Sequence, residues 1–156
     1  MKNKNRIFAG IDPDVTKNGL CLFSKNPFDE QQSSHNNGYF AVFNIPFPEL
    51  IEKLRGIKNV HVIVEAGWIN KSNWHINPYK GAAYNATIGK NTGRNEETGR
   101  KIIEMLEYYK ISYETFTPNK STPKYSPKIA KSISGLKFAK SHGEKMDALR
   151  CVTKYL

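Results

Sequence analysis

Two acidic residues stand at the ends of runs too apolar to be solvent-facing edges. Asp12 closes Arg6-Ile7-Phe8-Ala9-Gly10-Ile11, and Glu65 closes Val60-His61-Val62-Ile63-Val64. Both runs have strand length, and the second is almost entirely β-branched, as in a strand buried on both faces. If the two strands lie parallel and adjacent, the carboxylates emerge side by side at the edge where such sheets bind ligands. Glu144 and Asp147 stand three residues apart near the C-terminus, a spacing that puts both on one face of a helix. Four converging carboxylates are costly unless cations hold them, and oxygen-only ligands favour Mg²⁺ or Mn²⁺. Two such ions about 4 Å apart clamp the attacking water and the leaving oxygen of a phosphodiester. The sequence therefore nominates Asp12, Glu65, Glu144 and Asp147 as catalytic metal ligands for two ions.

The elements that must position them read as follows. Pro13 and the polar stretch to Asn18 end the first strand, and Gly19-Leu20-Cys21-Leu22-Phe23-Ser24 returns as the second arm of a hairpin. Residues 25–38 are polar and read as a loop, and Tyr39–Asn44 as a third strand. Pro46 and Pro48 open a short helix to Arg55, with Leu50, Ile51 and Leu54 on its apolar face. After the Val60–Glu65 strand, a polar and aromatic stretch over 67–93 reads as a connection. A helix over Arg94–Lys110 carries Ile102, Ile103, Leu106 and Tyr109, and Ser112–Thr117 is the fifth strand. Ser126 and Pro127 have the types that cap and start a helix. The last helix runs from Gly143 to Tyr155. A hairpin followed by alternating helices and strands predicts an α/β domain with a five-stranded mixed sheet flanked by helices.

The chain has 24 Lys+Arg against 14 Asp+Glu, a formal charge of +10. At roughly 150 residues per domain, 156 residues predict one domain spanning 1–156. A small chain this basic points to a polyanion. No apolar stretch approaches the roughly 20 residues of a membrane span, and the basic N-terminus lacks the apolar region of a signal peptide. Cys21 and Cys151 have no metal-site or disulfide-framework spacing and read as buried thiols of a reducing cytoplasm. No acid lies between Glu65 and Glu96, where Lys71, Lys80, Lys90 and Arg94 alternate with Trp68, Trp74, His75, Tyr79 and Tyr84. Cations neutralise phosphates and rings stack on unpaired bases, so this tract reads as a DNA surface. A second acid-free tract, 115–143, holds Lys120, Lys124 and Lys128 among six lysines. His142, just before the acidic helix, is a possible accessory group.

The chain also resembles a known family. Gly10-Ile11-Asp12-Pro13, followed by Asn18-Gly19-Leu20-Cys21-Leu22, is similar to the opening hairpin of RuvC-type Holliday junction resolvases. Val62-Ile63-Val64-Glu65-Ala66 resembles that family's second acidic strand end, and Glu144-Lys145-Met146-Asp147-Ala148-Leu149 its C-terminal acidic helix. The resemblance implies an RNase H-like fold, a homodimer, and Mg²⁺-dependent symmetric nicking of four-way DNA junctions. It carries the catalytic role to Asp12, Glu65, Glu144 and Asp147. It places Trp68 where relatives carry an aromatic that stacks on junction bases. Two positions depart from the family: Asp14 stands where relatives usually have Gly, which makes it a possible extra carboxylate, and Glu144 where they mostly have Asp or His. The 67–93 connection is longer than in bacterial members, a compact and divergent style that looks phage-like. The implied location is the cytoplasm of a bacterium or of a phage-infected host.

Three other readings share these residues. Another RNase H-like nuclease, acting on flaps, forks or RNA–DNA hybrids, would use the same acids. A non-catalytic DNA-binding protein of this fold would have no need of carboxylates that repel phosphate. An ATP-binding protein of the actin or sugar-kinase type shares an Asp-bearing hairpin but requires a second related domain.

Overall fold

A computed structural model describes residues 5–69, 79–118 and 122–156. Its centre is a mixed sheet of six strands: β1 (Ile7–Asp12), β2 (Asn18–Ser24), β3 (Ser33–His35), β4 (Gly38–Ile45), β5 (Val60–Glu65) and β6 (Ser112–Phe116). The spatial order is β3-β4-β2-β1-β5-β6. β1, β5 and β6 run parallel, and β2, β3 and β4 join by antiparallel pairing. The α/β class and the mixed, helix-flanked sheet are those expected from the sequence.

Strand periodicity sorts the side chains onto two faces. Ala9, Ile11, Leu20, Leu22, Val62 and Val64 pack against Leu50 and Leu54 of α1 (Phe47–Gly56) and Ile102 and Leu106 of α2 (Ala82–Tyr108). On the other face Cys21, Phe23, Phe40 and Ile63 pack against Ala130 of α3 (Pro127–Ser134) and Met146, Leu149 and Val152 of α4 (Gly143–Val152). The same alternation puts Asp12 and Glu65 on the α4 face.

Helix α4 lies close to the sheet because two strand residues are glycine. A Cβ on Gly10 would run into the Ala148 carbonyl oxygen, and one on Gly19 into that of Glu144. Gly10 pairs with Cys21 and Gly19 with Asp12 across the β1–β2 hairpin. The two contacts are four residues, about one turn, apart on α4. This approach carries Asp147 to the sheet edge.

The expected five strands become six. Within the polar stretch read as a loop, Ser33–His35 folds back on β4 through Gly38, whose φ of 142° suits glycine. The short strand is held by non-local bonds: Ser33 Oγ donates to the Ser134 carbonyl at 2.6 Å, and Asn37 Nδ2 to that of Ile133 at 2.8 Å. Helix α2 starts at Ala82 rather than Arg94, so much of the 67–93 connection is helical. Asn, Thr and Gly weaken the local helix signal there, while the far half is fixed by buried Gly99, Ile102 and Leu106. The C-terminal helix stops at Val152, followed by a 3₁₀ turn over Thr153–Tyr155. Ser126 caps α3 as expected, its hydroxyl accepting from the Ile129 amide.

Candidate functional site

β1 and β5 pair parallel, with Ile11 opposite Val64, so the next residues, Asp12 and Glu65, leave the sheet side by side. From α4, Asp147 joins them. One carboxylate oxygen from each of Asp12, Glu65 and Asp147 lies within 4.8 Å of the others. Asp147 is 6% exposed, and the Glu65 side chain is nearly as enclosed. Burial, then the charges of Glu65 and Asp147, push the Asp12 carboxyl well above its ordinary range, with Lys124 opposing. Burial, followed by the Asp147 charge, raises Glu65 to about 7, against the pull of Arg150 and Lys124. Neighbouring acids that resist ionising together mark a centre that a cation would complete.

Glu144 is not one of the three clustered acids. It sits half-buried in the first turn of α4, and its charge is the weakest of the influences that raise Asp12. Asp14 does other work. Its Oδ1 accepts from the amides of Thr16 (2.8 Å) and Lys17 (3.2 Å), while its own amide donates to Asn18 Oδ1. It shapes the turn after β1, and buried Asn18 ties that turn to β4 by donating to the Ile45 carbonyl. His142 precedes α4, and its Nδ1 accepts from the Ala139 amide at 3.1 Å.

Among the described residues two cations face the cluster, Lys124 and Arg150. Lys124 Nζ donates to Asp147 Oδ2 at 3.0 Å, from a side chain 73% exposed. Desolvation lowers its pKa, but Asp147, Asp12 and Glu65 outweigh it and the net direction is up. Arg150 is a residue at the cluster that the sequence reading did not single out. Only 7% exposed, its Nη2 donates to Glu65 Oε1 at 3.2 Å and lies 3.8 Å from Asp147 Oδ1. Its Nη1 donates to the Thr122 carbonyl, and its guanidinium carbon lies 5.7 Å from the Phe116 ring centroid. The available signal was an arginine inside Ala148-Leu149-Arg150-Cys151-Val152, since a charge in a buried run is nearly always paired.

The donor set fits a divalent cation on one further observation. Glu65 Oε2 is buried and has no hydrogen-bond partner among the described residues. Such an atom is expensive unless something occupies it, and an oxygen-only set suits a hard ion such as Mg²⁺ or Mn²⁺.

The residues nominated for DNA are spread more widely. Trp68 sits half-buried in a 3₁₀ turn after β5, its ring against Gly99, with the Arg100 guanidinium 5.6 Å from the ring centroid. Lys80 precedes α2, its ammonium 5.9 Å from the Tyr84 ring centroid. Lys90 and Arg94 are exposed along α2, and Lys128 is exposed on α3. Lys71, Trp74 and Lys120 lie outside the described residues. Cys21 and Cys151 are buried free thiols. No helix among the described residues is long and apolar enough to cross a membrane.

No protein-family model and no curated protein matches the chain. Among solved structures, Thermus thermophilus RuvC in complex with a Holliday junction substrate is similar at 15% identity, covering 94% of this chain and 90% of that one, with a TM-score of 0.49. Another Thermus thermophilus RuvC structure is similar at 16% identity, covering 93% of this chain and 90% of that one, with a TM-score of 0.44.

Proposed function

We propose that this protein is a metal-dependent endodeoxyribonuclease that resolves four-way DNA junctions by paired symmetric nicks. The observation that carries the hydrolytic reading is the convergence of Asp12, Glu65 and Asp147, with Glu65 Oε2 buried and unpaired among the described residues. The choice of a junction as substrate rests on the motif resemblance of the opening hairpin, the second acidic strand end and the acidic helix. Asp12, Glu65 and Asp147 would hold the primary ion, and Glu144, one turn before Asp147, would contribute to a second. Divalent ions there would supply an activated water and charge stabilisation for in-line displacement at phosphorus.

The chain's own residues have separate tasks. Asp12 and Glu65 fix the reacting edge because adjacent strands set their separation. Lys124, exposed and beside Asp147, is placed to meet a phosphate oxygen. Lys80, Lys90, Arg94 and Lys128 neutralise backbone phosphates further out, and Trp68 stacks at the branch point. A homodimer would present two such edges to strands of equal polarity. The one-domain chain would work in the cytoplasm of a bacterium or a phage-infected host.

The test is cleavage of a synthetic four-way junction with Mg²⁺, beside linear duplex, flap, fork and RNA–DNA hybrid controls. Wild type nicks the junction symmetrically, and Asp12→Asn and Glu65→Gln bind it without cutting. An intact junction, or mutants that cut normally, would overturn the proposal. Preferential cutting of a flap, fork or hybrid would leave the hydrolytic centre and replace the substrate. Glu144→Gln would report how far the second ion depends on that residue.

A further inference from the structure

The buried guanidinium inside the acidic cluster has a role that the metal reading alone does not give it. A carboxylate ligating a divalent ion has two oxygens to offer. Here Glu65 Oε1 already accepts from Arg150 Nη2, while Oε2 is buried with no partner among the described residues. Arg150 is held through both Nη atoms, while its Nε is buried with no partner among the described residues. Its Nη1 is held by the Thr122 carbonyl, Phe116 lies near the guanidinium, and α4 is seated on Gly10 and Gly19. Being planar, bonded through both Nη atoms and almost fully enclosed, the group cannot easily swing away.

We propose that Arg150 is a positioning residue and a built-in counter-charge of this centre: it holds Glu65 by one oxygen so that the other faces an incoming divalent ion. The inference rests on the metal-dependent reading above. Arg150 stands in for part of the missing positive charge, keeping Asp147 and Glu65 together in the free protein. It also repels the ion it prepares the site for. The consequence is a signed trade: metal binding is weaker than the bare carboxylates would give, and the ligand geometry is set before the ion arrives. A residue that only braced the fold would show the opposite sign, because its loss would disorder the carboxylates and weaken metal binding.

The test measures Mn²⁺ binding by the electron paramagnetic resonance of free Mn²⁺ at pH 8, in wild type, Arg150→Gln, Arg150→Lys and Asp12→Asn. Removing a unit charge beside a divalent ion in a partly buried site should tighten binding on the order of tenfold. Arg150→Gln is therefore expected to bind Mn²⁺ about tenfold more tightly, yet to turn over junctions at least about tenfold more slowly at saturating Mg²⁺, since Glu65 is no longer oriented. Arg150→Lys keeps the charge and should stay within about twofold of wild type in Mn²⁺ affinity. Unchanged or weaker binding in Arg150→Gln would overturn the proposal. A second measurement needs no Arg150 variant. Isotope-edited infrared spectra of wild type with ¹³C-labelled glutamate, minus those of Glu65→Gln, should show Glu65 ligating through one oxygen when Mn²⁺ is added, and two-oxygen ligation would also overturn it. Wild type whose Mn²⁺ binding is absent, or is unaffected by Asp12→Asn, would sink the metal-site reading itself, and this inference with it.

Discussion

Replacing Gly10 by alanine tests whether the sheet, through one missing side chain, places Asp147. The added Cβ would collide with the Ala148 carbonyl oxygen and lie 3.0 Å from Cys151 Cβ and 3.1 Å from Val152 Cγ1. The carbonyl belongs to the backbone of α4, so no rotamer change relieves the clash and the helix must retreat. Overpacking of this kind costs about 1–3 kcal/mol. For a domain of this size each kcal/mol moves the melting midpoint by about 2–4 °C, giving a fall of roughly 2–12 °C. The catalytic effect should be larger than the stability effect. Asp147 directly precedes Ala148, so a retreat on the order of 1 Å draws it away from Asp12 and Glu65, a misplacement that can cost about 10²-fold. The assay pairs thermal melting with junction cleavage and Mn²⁺ binding at a temperature where the variant is fully folded. A folded, destabilised variant with weakened Mn²⁺ binding and about 10²-fold slower cleavage is expected. A lowered midpoint with wild-type cleavage would refute the claim that this contact sets Asp147, and an unchanged midpoint would refute the steric argument.

The raised carboxyls make the metal-free protein pH-sensitive. Glu65 moves from 4.5 unfolded to about 7 folded, so the native state binds more protons across that window and stability falls as pH rises through it, by roughly 3 kcal/mol. Melting curves without metal should drop between pH 5 and pH 8, Mg²⁺ should restore the midpoint at pH 8 and do little at pH 5, and a flat profile would contradict the picture. Lys124→Ala removes an ion pair from a largely exposed side chain, so stability should change by less than about 1 kcal/mol while cleavage slows, checked by melting and kinetics on the same preparation. Asp14→Ala strips the acceptor from the Thr16 and Lys17 amides and should cost about 1–2 kcal/mol, with Mn²⁺ affinity unchanged. Lost metal binding in that variant would make Asp14 a ligand.

The parts of the site legible in the sequence are those that local rules control. Two apolar runs ending in acids can be seen residue by residue, because a strand's length and its terminus are written in adjacent positions. The i, i+3 spacing of Glu144 and Asp147 fixes a shared helix face without knowledge of any partner. Strand β3 was illegible for the opposite reason: Ser-Ser-His has little strand preference, and besides its pairing with β4 the hairpin is anchored by Ser33 and Asn37 on the carbonyls of Ser134 and Ile133, about a hundred residues away. The first half of α2 was hidden by its Asn, Thr and Gly content, which lowers local helix preference although the chain continues as helix from the anchored far half.

By itself, then, the sequence determined the α/β class, the acidic strand ends and the basic character of the chain, since these follow from residue type and short-range periodicity. Only the tertiary structure decided which carboxylates meet. It placed Asp12 beside Glu65 through parallel pairing and brought Asp147 in over two glycines. It left Glu144 outside the three clustered acids and spent Asp14 on a turn. It also put Arg150 against Glu65 across 85 residues of chain. Such encounters depend on how closely a helix can approach a sheet, a distance set by side-chain volume at positions far apart in sequence.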